Sequence, residues 1–180
     1  MKANYPIEYM TAILINESGD IDKISEIVAE CKVMNISILP PHINYSDTNF
    51  EIKNNNNNEE IRFGFNTIKN IGENIAEAIV MERNKGGRFK NLEDFIHRVQ
   101  HKDLNKKSIE SLCKCGALDD FAERNTIIEN IDNILEYHKS VSKESKNQDS
   151  LFGMMVEDNN QMKFHLRPAQ RPATIEEKLD

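Results

Sequence analysis

Residues 68–80 read IKNIGENIAEAIV, and this stretch decides the fold. Asn70, Ile71 and Gly72 predict a tight turn between two short helical stretches, the second of which begins at the turn. A helix N-terminus offers unpaired amides and a positive dipole end to an anion. Small turn residues let a phosphate backbone approach closely, while Ile71 anchors the turn in the core. The stretch therefore predicts a phosphate contact built from main-chain groups.

This pattern resembles a helix–hairpin–helix, which would hold the DNA backbone without reading bases. The usual motif has Gly at both turn positions, whereas here the first is Asn70, which tolerates a positive φ. Lys69 adds charge attraction, and Asn74 follows the turn, so both join Asn70, Ile71 and Gly72 as candidate DNA-binding residues. The alternative is an ordinary turn that packs two helices, which the nearby acidic residues favour: Glu73, Glu77 and Glu82.

A second contact to the DNA backbone is predicted before and inside a later helix, at Lys102, Lys106 and Lys107. These lysines are equally compatible with a solvated surface. Residues 66–116 carry ten Lys and Arg against seven Asp and Glu, a local net charge of +3, although the whole chain carries −7. The charge balance permits a local basic patch and excludes a protein that coats itself with nucleic acid.

The composition predicts a mainly α fold with one small β-hairpin, because Gly and Pro are few and Trp is absent among 180 residues. Two antiparallel helices come first, the second capped by Asp20 and apolar from Ile21 to Met34. Further helices are predicted from apolar spacing and caps: one stopping at Gly86–Gly87, a short one capped by Asn91, one from Leu104 to Cys115, and one from Thr126 to Lys139.

Non-helical segments are predicted between and after these helices. Pro40 and Pro41 break the second helix and leave an extended run. Two short strands flank a polar tip of five asparagines, Asn54 to Asn58. Order lapses from Ser140 to Asn147, and a flexible C-terminal tail follows. The capping box of Thr174 and Glu177 starts a helix with no room to continue, which predicts a piece of a longer protein.

No catalytic or metal site is predicted. His97, His101, Cys113 and Cys115 are four soft ligands, yet a Cys-x-Cys spacing with Lys114 between the thiols favours packing over zinc binding. Motifs for nucleophilic catalysis or nucleotide binding are absent from the sequence. The odd cysteine count, with no leader and no long apolar run, predicts a cytoplasmic protein with reduced thiols and no membrane contact.

Three stretches in a fixed order resemble the alpha subunit of bacterial DNA polymerase III, a C-family replicative polymerase: AECKVMNISILPPHIN at 29–44, IRFGFNTIKNIGE at 61–73 and LNKKSIESLCKCGALDDF at 104–121. The chain departs from that family at His42, where Asp is usual, and at Asn70. The resemblance implies the end of the fingers domain (1–48), a β-hairpin connector (49–65), a duplex-binding helix–hairpin–helix module (66–140), a flexible segment with a clamp-binding peptide (141–161) and a linker toward a further domain (162–180).

The same resemblance implies a role for QDSLF, residues 148–152, as the internal peptide that binds the sliding clamp. Gln148 would bond at the rim of a pocket that Leu151 and Phe152 fill. The alternative is an apolar plug that folds back onto the helix of residues 127–138. In the family the magnesium-binding carboxylates lie far upstream, so this segment would carry neither catalytic residue nor cofactor and would be inactive alone.

The implied partners are the backbone of double-stranded DNA, the sliding clamp, and the rest of the polymerase with its replisome subunits. The implied function is to hold duplex DNA and to tether the polymerase during replication. An independent helical DNA-binding or repair adaptor is the alternative. A hydrolase or nuclease subunit is disfavoured, because the sequence lacks clustered carboxylates.

Overall fold

The computed structural model describes residues 4–55, 58–148, 164–169 and 171–174. Within these ranges the chain forms seven α-helices, three strands and one 3₁₀ turn, so the predicted mainly α fold is confirmed. The helices are α1 Pro6–Asn16, α2 Ile21–Val33, α3 Glu73–Gly86, α4 Leu92–Arg98, α5 Lys106–Lys114, α6 Arg124–Glu129 and α7 Ile131–Gln148. The strands are β1 Ser37–Leu39, β2 Glu51–Asn55 and β3 Asn58–Arg62, and the 3₁₀ turn is Phe65–Thr67.

The first hydrophobic cluster joins α1 and α2 to the small sheet. Met10, Leu14 and Cys31 are fully buried there with Ile61 of β3. The predicted cap of α2 is confirmed, because the Asp20 carboxylate accepts a hydrogen bond from the Lys23 amide at 3.1 Å. The predicted apolar face of α2 is wrong at its first residue: Ile21 is 75% exposed, in the first turn of the helix, where no neighbouring element covers it.

The sheet has the order β1–β3–β2, with β3 in the centre. The antiparallel pair β2–β3 places Ile52 opposite Ile61, which confirms the predicted hairpin. The predicted tip of Asn54 to Asn58 is too long, because Asn54 and Asn55 belong to β2 and Asn58 to β3, where their main chains pair. β1 pairs in parallel with β3, where the sequence predicts only an extended run. Three residues that end before Pro40 are too few to show strand alternation, and an edge position tolerates the proline that follows.

The second, larger cluster is formed by α3 to α7. Phe65, Phe95, Ile109 and Ile134 are fully buried in it, together with Ile43 from the loop before β2. The predicted stop of α3 is confirmed, since Gly87 follows it with φ of 76°. The predicted start of α4 is confirmed as well, since the Asn91 side chain accepts from the Asp94 amide at 2.8 Å. The hairpin shares a core with α1 and α2, while the predicted domain boundaries stay a prediction.

The helix predicted from Thr126 to Lys139 is wrong in two respects. It is two helices, α6 and α7, which meet at Asn130. Asn130 is 2% exposed, and its side-chain amide donates to main-chain carbonyls, as described below. Order also does not lapse at Ser140, since α7 continues to Gln148. Val141 is buried and extends the stripe of Ile134 by two turns, which gives the helix a reason to continue.

Residues 164–169 and 171–174 return along α6, within the region predicted as a linker. Phe164 and Leu166 pack against the larger cluster. The Asn130 side chain donates to the Arg167 carbonyl at 2.8 Å and accepts from the Arg167 amide at 2.9 Å. The predicted capping box cannot be assessed, because Glu177 lies outside the described residues.

No helix in the described ranges has both the length and the apolar character needed to cross a membrane.

Candidate nucleic-acid interface

The predicted turn is present and lies directly before α3. The 3₁₀ turn supplies the first helical stretch, and the Ile71 amide closes the hairpin on the Ile68 carbonyl at 3.0 Å. Ile71 is 5% exposed, so its predicted role as the anchor is confirmed. Asn70 has φ of 64°, the left-handed conformation expected of a residue that replaces glycine here.

The remaining candidate side chains of the hairpin lie on its outer rim. Lys69, Asn70, Gly72 and Asn74 are all exposed. The Asn70 side-chain amide donates from Nδ2 to Ser111 Oγ at 3.0 Å and thereby links the turn to α5. The sequence does not predict this contact, since forty-one residues separate the two partners.

The N-terminus of α3 differs from those of α2, α4, α5 and α6. α1 also lacks a side-chain cap, but its first turn holds Pro6, which has no amide hydrogen to offer. Side-chain oxygens of the chain itself cap α2, α4, α5 and α6, from Asp20, Asn91, Asn105 and Glu123. α3 starts after Gly72, which has no side chain to offer, and its first intrahelical bond runs from the Ala76 amide to the Gly72 carbonyl at 3.1 Å. The amides of its first turn are therefore left for an acceptor from outside the helix.

Gly72 is not required by the chain's own geometry. Its φ of −83° and ψ of 166° suit any residue, and a Cβ added there meets no atom within 4 Å. The absent side chain leaves open space directly in front of the α3 amides. A bulky anion such as a phosphodiester needs that space to reach them.

The predicted second contact lies at the start of α5, which is built differently. Asn105 accepts from the amides of Lys107 and Ser108, and the Asn105 amide donates to Ser108 Oγ at 2.8 Å, so the first turn is closed by a capping box. Lys106 Nζ lies 3.5 Å from an Asp132 carboxylate oxygen, and Lys107 is exposed. α5 can therefore offer lysine charge but few free amides.

A cleft of about 620 Å³ joins the hairpin to α5. Lys69 and Asn70 line it from the hairpin and Lys114 from α5, while Pro40 and Pro41 line it from the loop after β1. The α5 residues that line the cleft include Glu110 as well as Lys114, while the predicted contacts Lys106 and Lys107 do not line it.

The sequence offers His97, His101, Cys113 and Cys115 as soft ligands but favours packing, and in the described residues the two cysteines are hydrogen-bonded to main-chain carbonyls. Cys113 Sγ donates to the Arg124 carbonyl and Cys115 Sγ to the Leu112 carbonyl, both at 3.3 Å. Burial raises the pKa of Cys113 to about 12 and of Cys115 to about 11, whereas a metal ligand must be a thiolate. Across the part of the chain that the structure describes, no group of three or more His, Cys, Asp or Glu could hold an ion.

The predicted clamp-binding residues lie largely beyond the structural description. Gln148 is the last residue of α7, and nothing is described of its side chain. Leu151 and Phe152 lie outside the described residues. Their role stays a prediction.

A family model described as the helix–hairpin–helix motif matches residues 35–127, which include the sheet, the hairpin and α3 to α5. The 3₁₀ turn, the tight turn at Asn70 and α3 follow one another in the order that this description names. The chain therefore belongs to the helix–hairpin–helix family.

Its curated relatives are more particular. The chain is 43% identical to DNA polymerase III subunit alpha of Deinococcus radiodurans over 136 residues, which are 76% of this chain and 10% of that protein. It is 37% identical to the same subunit of Thermus aquaticus over 157 residues and 39% identical to that of Borreliella burgdorferi over 160. The resemblance seen in the sequence is confirmed: the chain matches a segment of DNA polymerase III alpha, and spans about a tenth of those relatives' length.

Proposed function

We propose that this chain is a non-catalytic segment of a replicative DNA polymerase that holds the backbone of duplex DNA. The observation that carries the proposal is the N-terminus of α3. Side-chain oxygens cap α2, α4, α5 and α6, whereas the first-turn amides of α3 stay open behind Gly72. A phosphate there accepts main-chain hydrogen bonds and meets the positive end of the helix dipole. Because the contact is to phosphate, binding is independent of base sequence and weakens with salt.

Gly72→Asp tests this assignment without threatening the fold. The new carboxylate fits the open space, caps the α3 amides as Asp20 caps α2, and repels a phosphate. We expect the free energy of unfolding to rise or stay level while duplex binding, measured by fluorescence anisotropy at low salt, weakens at least about tenfold. Gly19→Asp is the matched control, because Gly19 also has open space and lies on the α1–α2 turn. Equal binding by the two variants would contradict the assignment.

We further propose that Gln148, Leu151 and Phe152 tether the polymerase to its sliding clamp in the cytoplasm. Support comes from the sequence QDSLF and from its position in the chain, which begins at Gln148, the last residue of α7. Apolar side chains of this kind are the usual anchors of short peptides, and tethering converts a weak contact into processive synthesis.

A titration of purified bacterial sliding clamp tests the tether. The double variant Leu151→Ala/Phe152→Ala should lose about 2 to 4 kcal/mol of binding free energy, which abolishes a micromolar contact. Met154→Ala/Met155→Ala removes comparable apolar surface from the same segment and should bind as the unaltered chain does. Binding that survives loss of Leu151 and Phe152 would place the anchor elsewhere.

A further inference from the structure

An exposed tyrosine lies between two arginines, away from the helix–hairpin–helix turn at Asn70. Tyr45 is 38% exposed, and its ring centroid lies 4.5 Å from Cζ of Arg88 and 5.6 Å from Cζ of Arg62. Stacking on a tyrosine ring orients a guanidinium while leaving its N–H groups available to another acceptor. Tyr45, Arg62 and Arg88 are called the arginine–tyrosine patch below.

The loop that carries Tyr45 is held rigidly from both sides. The Asn44 side chain donates to the Phe89 carbonyl at 2.9 Å and accepts from the Phe89 amide at 2.8 Å. This two-way pair fixes the residues next to Tyr45 and Arg88 against each other. On the other side, Ser46 Oγ donates to the Phe63 carbonyl at 2.7 Å. An exposed side chain on so well-braced a loop is preorganised for a contact with an outside group.

In the described part of the chain, the arginines of the patch form no ion pair. Among the described residues, no carboxylate oxygen lies within 4.0 Å of Arg62 or Arg88. Arg62 donates from Nη1 to the Pro40 carbonyl at 2.9 Å, and its buried Nε has no acceptor in the described structure. Burial lowers the pKa of Arg62, and the charge of Glu60 offsets this effect only in part. An external anion would supply the compensation that the fold does not.

The patch continues the surface that begins at the hairpin. Lys69 and Pro40 line the same cleft, and the Pro40 carbonyl holds Arg62. Arg62 in turn lies over Tyr45, which Arg88 covers as well. From the Pro40 side of the cleft, direct contacts therefore lead through Arg62 and Tyr45 to Arg88.

We propose that the arginine–tyrosine patch binds a second phosphate of the DNA backbone, on a strand whose other contact is the N-terminus of α3. The planar guanidinium of Arg88 matches the two free oxygens of a phosphodiester, and Tyr45 holds it in place. This site rests on the proposed function, because it extends the same DNA contact beyond the helix–hairpin–helix.

Salt-dependent anisotropy titrations test the patch, with a fluorescent duplex and its separate single strand as probes. Arg88→Ala should bind about tenfold more weakly at low salt, and the slope of log K against log salt should become shallower by about 1, the loss of one phosphate contact. Arg88→Lys should fall in between, because it keeps the charge but not the stacked planar group. Lys139→Ala, an equal charge change at an exposed site on α7, should leave affinity and slope unchanged.

The outcomes separate this proposal from the function on which it rests. If Arg88→Ala matches Lys139→Ala while Gly72→Asp still loses binding, the patch is overturned and the hairpin contact stands. If the unaltered chain binds neither probe at low salt, the proposed function fails first. A loss seen with both probes supports a backbone contact, and a loss confined to the single strand supports a phosphate contact made to unpaired DNA.

Discussion

Asn70 holds the hairpin turn in a conformation that glycine adopts more easily. Its φ is 64°, and its side chain partly compensates by donating to Ser111 Oγ at 3.0 Å. Alanine at this position would keep the strain and lose the bond.

Asn70→Ala should therefore lower the free energy of unfolding by about 1 to 2 kcal/mol, measured by urea titration. Asn70→Gly should stay within about 1 kcal/mol of the unaltered chain, because relief of backbone strain offsets the lost hydrogen bond. Ser111→Ala isolates the hydrogen bond, since it leaves the turn backbone untouched. A larger loss for Asn70→Gly than for Asn70→Ala would show that the turn is not strained at this residue.

The buried cysteines make a second prediction at this scale. Burial raises the pKa of Cys113 and Cys115 from 9.0 to about 12 and about 11, so the folded chain favours the neutral thiols. The folded state binds more protons than the unfolded state above pH 9, and stability should fall as the pH rises from there toward 11. Both thiols should also resist alkylation at pH 8 until urea unfolds the chain, as mass spectrometry of the labelled peptides can measure. Rapid labelling of Cys113 without denaturant would contradict its place in the core.

At the scale of elements, Asn130 separates α6 from α7 and binds the returning segment. Its amide donates to the carbonyls of Thr126 and Arg167, and its oxygen accepts from the Arg167 amide. A buried side chain with this many main-chain partners is costly to remove, because those partners cannot reach water.

Asn130→Ala should lower the free energy of unfolding by about 1 to 3 kcal/mol in a urea titration. Asn84→Ala is the control, since Asn84 is exposed on α3 and should change stability by less than about 0.5 kcal/mol. Equal effects of the two substitutions would mean that the returning segment does not dock on Asn130.

Helix ends could be predicted from the sequence where residues close in the chain determine them. Asp20 and Asn91 cap the first turns of α2 and α4 through amides three residues ahead, and Gly87 ends α3 with a positive φ. The break between α6 and α7 could not be predicted in this way, because the Asn130 side chain bonds to Arg167, thirty-seven residues away. β1 escapes it as well, since its three residues gain strand structure only by pairing with β3.

In the molecule as a whole, Arg83 links α3 to the loop between β1 and β2. It lies on α3 and donates from Nη1 to the carbonyls of Ile43 and Ser46, in the loop that leads to the sheet. The loop that carries Tyr45 is thereby held against α3.

Arg83→Ala leaves both carbonyls without this donor, so we expect the free energy of unfolding to fall by about 1 to 3 kcal/mol. Lys85→Ala, an equal loss of charge from an exposed position near the end of α3, should be nearly neutral. Chemical denaturation followed by circular dichroism measures both. A neutral Arg83→Ala would show that the loop holds its place without this bridge.

The candidate site could be predicted from sequence only where it is local. The turn at Asn70, its anchor Ile71 and the start of α3 follow from thirteen consecutive residues. The arginine–tyrosine patch does not, because Tyr45, Arg62 and Arg88 come from three separate elements that only the folded chain brings together. The open amides of α3 also became meaningful only once the neighbouring helices proved to be capped.

Amide NMR of the labelled chain, titrated with a short duplex, shows whether the first-turn amides of α3 hold a DNA phosphate. We expect the resonances of Glu73 and Asn74 to shift progressively with added duplex and added salt to reverse the shifts. The Lys23 amide, which Asp20 already caps, should stay in place. Shifts elsewhere on the chain with Glu73 and Asn74 unmoved would contradict the account, because DNA would then be bound without the open helix end.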